Sequence, residues 1–130
     1  MKKAIGIFIV AAALALTSGC SRQEIWSTLV LRAQMPDGEE IAMITIDPSI
    51  EGNVIRNINT LEKYDFPAFI GGTARLTVLK GLYVISFDAV AELTDGREKK
   101  VRFSGYSTEA NAAEVVDDEV TLNLNLTVLK

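Results

Sequence analysis

The segment EVTLNLNLTV, residues 119–128, alternates without a break: Val120, Leu122, Leu124, Leu126 and Val128 stand against Thr121, Asn123, Asn125 and Thr127. Side chains of an extended chain point to opposite faces with period two, so this pattern specifies a strand with one dry face and one wet face. A helix would scatter the five apolar residues round its circumference. One strand cannot bury its own dry face, and the rest of the chain must therefore supply a sheet.

It does so with recognisable signals. LYVISFDAVAE puts Tyr83, Ile85, Phe87, Ala89 and Ala91 on one face and Ser86, Asp88 and Glu92 on the other, while Leu82, Val84 and Val90 leave the outer face partly apolar, as in a central strand. TDGR, 94–97, holds the Asp-Gly pair favoured in tight hairpins, and behind it Val101 and Phe103 oppose Lys100 and Arg102. Residues 82–106 thus read as one long hairpin. PDGE, 36–39, marks a second turn between STLVLRA (27–33) and EIAMITID (40–47), both rich in β-formers. TARLTVL, 73–79, buries Ala74, Leu76 and Val78, and VIRNINTL, 54–61, reads as an edge strand. Residues 107–119 lack a strand pattern and read as the long crossover that a Greek key requires. The expectation is an all-β chain, a seven-stranded antiparallel β-sandwich over 27–130, of Greek-key or prealbumin-like type, behind an N-terminal signal segment.

That N-terminal segment opens with Met1, Lys2 and Lys3, followed by thirteen residues, Ala4 to Leu16, with no charge and no strongly polar side chain. A basic region before an apolar one is the pattern of an export signal. Counted through Gly19, the uncharged stretch has 16 residues, short of the roughly 20 a spanning helix needs. Thr17, Ser18 and Gly19 then lead into Cys20, the only cysteine. The order of these parts resembles the lipobox of bacterial lipoproteins, in the relaxed form, with Leu16 four residues ahead of the cysteine and Ser21 behind it, of Bacteroidetes lipoproteins. The resemblance implies a signal peptide over 1–19, lipidation of Cys20, a tether over 20–26, and attachment to the membrane through the N-terminal lipid. Its implied location is the cell envelope, as an outer membrane lipoprotein facing the periplasm or the surface. An unpaired Cys20 in a plain secretory signal is the other reading.

The run GGTARLTVLKGLYVISFDAVAELTDG, 71–96, with Ala74, Leu76, Gly81 and Tyr83 in order, resembles prealbumin-like and carboxypeptidase-regulatory-like domains. Those are accessory, adhesive and scaffold modules of bacterial surface proteins, and the resemblance brings no catalytic residue with it.

Absences narrow the chemistry further. The chain has no His, which excludes Ser-His-Asp triads, Cys-His dyads and the common His-bearing zinc sites. Glycoside hydrolysis by carboxylates alone needs two carboxyls flanking a sugar in a cleft, which a sandwich of this size rarely encloses. No enzyme, cofactor or metal is expected. Without Lys2 and Lys3 the formal charge moves from −4 to −6, and an acidic domain is a poor partner for nucleic acid, whose affinity rests on neutralised phosphates.

Three places deserve tests against structure. Asp117, Asp118 and Glu119 are either calcium ligands or a solvated acidic turn, and no glycine-kinked ligand loop accompanies them. Arg97, Lys99, Lys100 and Arg102 form a basic tip, a site for anionic glycans or headgroups or else a charged guard on a strand. Tyr64, Phe66 and Phe69 in EKYDFPAFIGG form a binding loop for glycan or protein, or a plug over the core. The functional expectation is a non-enzymatic, membrane-anchored binding or adhesion module. The alternative is a structural subunit or anchor of a cell-surface assembly, such as a pilus, that pairs through a strand edge.

Overall fold

The computed structural model describes residues 25–129. The described residues are all-β, and their eleven strands are β1 (Trp26–Gln34), β2 (Ile41–Ile46), β3 (Val54–Asn57), β4 (Lys63–Tyr64), β5 (Phe69–Ile70), β6 (Thr73–Leu79), β7 (Gly81–Leu93), β8 (Glu98–Tyr106), β9 (Ala113–Val115), β10 (Glu119–Asn125) and β11 (Thr127–Val128). Hydrogen bonds join all of them into one sheet, in the order β10-β1-β6-β5-β2-β7-β3-β4, with β8 and β9 also on β7 and β11 on β8.

The spine is β7, thirteen residues long. One of its edges carries β9 at residues 81–83 and β8 at 85–92; the other carries β3 at 83–86 and β2 at 89–93. Between β3 and β2 the ladder would lapse at Asp88, and the side chain of Asn53 fills the gap. Its Oδ1 accepts from Asp88 N at 2.9 Å and its Nδ2 donates to Asp88 O at 3.3 Å, so an amide side chain stands in for a missing residue of strand. Tyr83, Ile85, Phe87, Ala89, Ala91 and Leu93 along the inner face are all buried.

One core unites both ends of the strand order. Leu29, Leu31, Val78, Leu122 and Leu124 from β1, β6 and β10 belong to the same packed cluster as Ile44, Ile55, Phe87, Val101 and Phe103 from β2, β3, β7 and β8. A flat sheet of eleven strands would hold these residues far apart at about 4.8 Å per strand, so the sheet bends over a single core. It turns at the short β5, which pairs with both β2 and β6, and again at Leu126.

Leu126 is where the strict alternation of the C-terminal segment conceals a change of partner. Residues up to Asn125 pair with β1, whereas Thr127 and Val128 pair with Arg102 and Val101 of β8. Leu126 itself donates its N–H to Gln34 O at 2.9 Å and remains buried. The apolar residues keep facing the same interior across the switch, as corner strands do.

Several expectations are corrected by this architecture. Seven strands become eleven, because β4, β5, β9 and β11 are two or three residues long and too short to show a period. The pairing is not wholly antiparallel: β10 runs parallel to β1, with Leu31 opposite Leu122. Residues 54–61 are not an edge strand, since only Val54–Asn57 is extended and it lies between β7 and β4. The crossover 107–119 contains a 3-10 turn, Glu109–Asn111, capped by the Thr108 hydroxyl, and the strand β9. The hairpin over 82–106 forms as expected, closed by Gly96 at φ 91° in the TDGR turn. Among the described residues no helix is long and apolar enough to cross a membrane.

Candidate functional site

Chain direction sorts the surface into two ends. β1 starts at Trp26 beside Leu79 and passes Arg32, beside Thr73, near its other end, while β7 starts at Gly81 and finishes at Leu93 beside Ile41. One end therefore holds the first described residues, the 58–62 turn and the 116–118 turn. The other holds the 35–40 turn, the 94–97 turn and Gly71–Gly72.

The aromatic loop lies against the core. Phe69 is buried, and its ring centroid is 6.3 Å from that of Phe87. Phe66 meets Phe87 edge to face at 5.3 Å, and Tyr64 lies 6.0 Å from Tyr83, both half-buried against the core cluster. These are favourable aromatic geometries. They engage the three rings in packing, while the outer sides of Tyr64 and Phe66 line a hollow of about 300 Å³ with Pro48 and Asn53.

The basic tip is held by carboxylates of its own hairpin, Asp88 and Asp95, and by the distant Glu39. Arg97 bridges Asp95 (Nε to Oδ2, 2.7 Å) and Glu39, and Lys99 Nζ reaches the other oxygen of Glu39 at 2.8 Å. Arg102 grips Asp88 with two hydrogen bonds, of 2.7 and 3.0 Å. Hydrogen bonds from Lys99 and then Arg97 hold the Glu39 carboxyl below its ordinary value, and Arg102 does the same for Asp88. Only Lys100 of the four has no carboxylate partner among the described residues. Two of the three acids of the 117–119 turn are likewise partnered: Asp118 meets Lys80 at 2.8 Å and Glu119 lies 3.8 Å from Arg75. No cluster of three potential metal ligands forms among the described residues. Cys20 lies outside them.

At the end with the 58–62 turn, a buried polar knot fixes the chain. The Tyr83 hydroxyl donates to Leu79 O at 2.6 Å and accepts from Asn57 Nδ2 at 3.1 Å. Asn57 Oδ1 in turn accepts from the backbone N–H groups of Asn59 and Thr60 at 2.8 and 3.0 Å, and Asn59 Oδ1 accepts from Leu82 N. Burial, partly offset by the Asn57 bond, pushes the Tyr83 phenol well above its ordinary value. Gly81 is required beside the knot, where a Cβ would stand 2.8 Å from Asn59 Oδ1 and 2.9 Å from Asn57 Nδ2. The turn that Asn57 caps ends at Leu61, a non-glycine residue at φ 66°.

The opposite end carries a hollow of about 680 Å³ between the 35–40 turn, Gly71 and the end of β10. Gln34, Met35, Pro36, Glu39, Asn125 and Leu126 are among its walls, an even mixture of polar and apolar groups. Two backbone bonds shape it: Ala33 N to Gly72 O at 2.8 Å, and Leu126 N to Gln34 O. Ile70 beside Gly71 is 82% exposed, opposite the exposed Met43 of β2. This hollow is of the size of a small-ligand site, and sequence reasoning missed it. Its walls come from three separated segments, none with a local signal beyond the PDG turn.

No family model matches the chain, and no curated protein matches it. Among solved structures it is similar to a DUF4876 family protein from Bacteroides thetaiotaomicron, at 15% identity and a TM-score of 0.54. The match covers 80% of this chain and 24% of that one, and it is a likeness of fold.

Proposed function

We propose that the protein is a membrane-anchored lipoprotein of the bacterial envelope, acting without catalysis as a binding or adhesion module. The bent sheet is read as a sandwich of the prealbumin-like kind whose far end holds the ligand. The observation that carries the reading is the hollow beside Gln34 and Asn125, which lies at the end remote from the point where the N-terminal segment joins β1. An anchored module needs that polarity, with the tether at one end and the recognition surface at the other. The basic tip and the aromatic loop are weaker candidates, since ion pairs and core packing already occupy them. The solved relative in fold is about four times as long as the matched region, which fits a fold used as one module among others.

The anchoring half is tested by Cys20→Ala, which should abolish fatty-acid labelling and release the chain from membranes. Unchanged partition would sink it. The binding half is tested by titrating neutral oligosaccharides and extended peptides against the native chain and against Asn125→Ala. Binding that ignores Asn125, or no binding at millimolar ligand, removes the hollow as the site.

A second reading has its own support. On the described chain β10 pairs through one edge with β1, and its other edge offers a strand for augmentation by an assembly partner. Such a subunit would co-purify with its partner from detergent-solubilised membranes; a binding module would come out alone.

A further inference from the structure

Seven large apolar side chains stand exposed among the described residues, and four of them, Ile25 (50%), Trp26 (44%), Leu61 (70%) and Val116 (59%), share one end. Backbone pairing gathers them round residues 79–82. Lys80 N donates to Ile25 O at 2.9 Å, Trp26 pairs with Leu79, Ile58 N donates to Leu82 O, and Val115 pairs with Gly81. Leu61 is the oddest of the four. At φ 66° an L side chain is strained, and Asn or Gly would suit the turn better. A leucine held in a costly conformation and turned to water does nothing for the fold, which is the pattern of a residue kept for contact.

We propose that this end of the domain lies on the bilayer surface, with Ile25, Trp26, Leu61 and Val116 entering the headgroup boundary. The inference rests on lipidation of Cys20. Ile25 is five chain steps from Cys20, and a chain spans at most about 3.6 Å per residue, so the anchor holds Ile25 within roughly 18 Å of the lipidated Cys20 backbone. The domain end is thus confined against the membrane, and an apolar rim there is the surface it meets. Tryptophan suits that depth, its ring apolar and its N–H wet. Charge gives no net attraction: Lys80 is paired with Asp118, and Lys63, two residues beyond Leu61, is offset by Glu62 and Asp117 on the same turns. Docking should therefore be as good on neutral phosphatidylcholine as on anionic lipid.

Trp26 is the only tryptophan of the chain and reports the contact directly. The acylated full-length protein is reconstituted into phosphatidylcholine vesicles with brominated acyl chains, and flotation and emission are read together. The expected result is flotation with a blue-shifted, bromine-quenched Trp26. In Leu61→Asn/Val116→Ser the protein should still float but lose most of the quenching, while its melting temperature stays at or above that of the native chain, because Asn tolerates the left-handed turn. Flotation with an unquenched, iodide-accessible Trp26 in the native chain overturns the docking and leaves the anchor standing. Quenching unchanged in the double variant overturns the surface as drawn. Failure to float identifies the anchor as the fault, and the docking falls with it.

Discussion

Replacing Tyr83 with Phe tests the buried knot with the least disturbance, since the ring and its packing stay and one oxygen goes. The hydroxyl is the partner of two groups, donating to Leu79 O at 2.6 Å and accepting from Asn57 Nδ2 at 3.1 Å, in a side chain with no exposure at all. Each buried group left without a partner costs about 1–3 kcal/mol, and water has little access to replace the oxygen. A loss of about 2–6 kcal/mol follows for the pair, against a total of about 5–15 for a domain of this class. In a thermal melt that is a drop of about 10 °C or more. The same substitution should alter the pH profile. Tyr83 in the folded chain binds its proton more tightly than in the unfolded one, so above about pH 10, the ordinary phenol value, only the unfolded chain loses that proton. Stability from this group is intact below pH 10 and declines as pH rises through the window between the two values. Tyr83→Phe should show a shallower alkaline decline. Urea titrations at pH 7 and at successive pH values above 10 give both quantities. A variant that unfolds at the native urea concentration, with an unchanged alkaline limb, would refute the claim that this oxygen organises the turn.

Two further substitutions probe the core. Leu124, fully buried in β10, should cost about 2–5 kcal/mol when cut to Ala, whereas Asn123→Ala on the wet face should cost little; equal mildness in urea would mean that the strand is detachable. Tyr64→Ser with Phe66→Ser should lower the melting temperature markedly, since these rings pack on Tyr83 and Phe87, although partial exposure keeps the loss below the full 3–5 kcal/mol of a core aromatic each. A melt that barely moves would restore the loop as a free contact surface.

The parts of this fold that were legible in the sequence are those where period and turn chemistry agree. The dry face of β10 and the hairpin of β7 and β8 follow from alternation and from Asp95-Gly96, which local physics decides. Partners are another matter. Val120 to Val128 alternates identically whether or not the strand changes neighbour at Leu126, because period reports the face and not the edge. Arg97 and Lys99 look like free cations until the fold brings Glu39 to them from about 60 residues away. Tyr64, Phe66 and Phe69 satisfy equally a description of a plug and of a contact loop, and only burial separates the two. Asn57 had a trace in the sequence: a polar residue at the end of VIRN, followed by Asn59 and Thr60, is a turn-capping pattern. The hollow left none.

The parallel pairing of β1 with β10 has a consequence in time. Thr28 lies opposite Glu119, so one flank of the first strand has no native neighbour until β10 is made. At about 5–20 residues per second, the roughly 90 residues between them take about 5–18 s to synthesise. Through that interval the nascent chain carries an open, apolar strand edge, the kind of surface that seeks wrong partners. Closing so long a loop is also entropically late and slow. Removing β10 should therefore do more than weaken the fold: it would leave β1 permanently in its immature, aggregation-prone state.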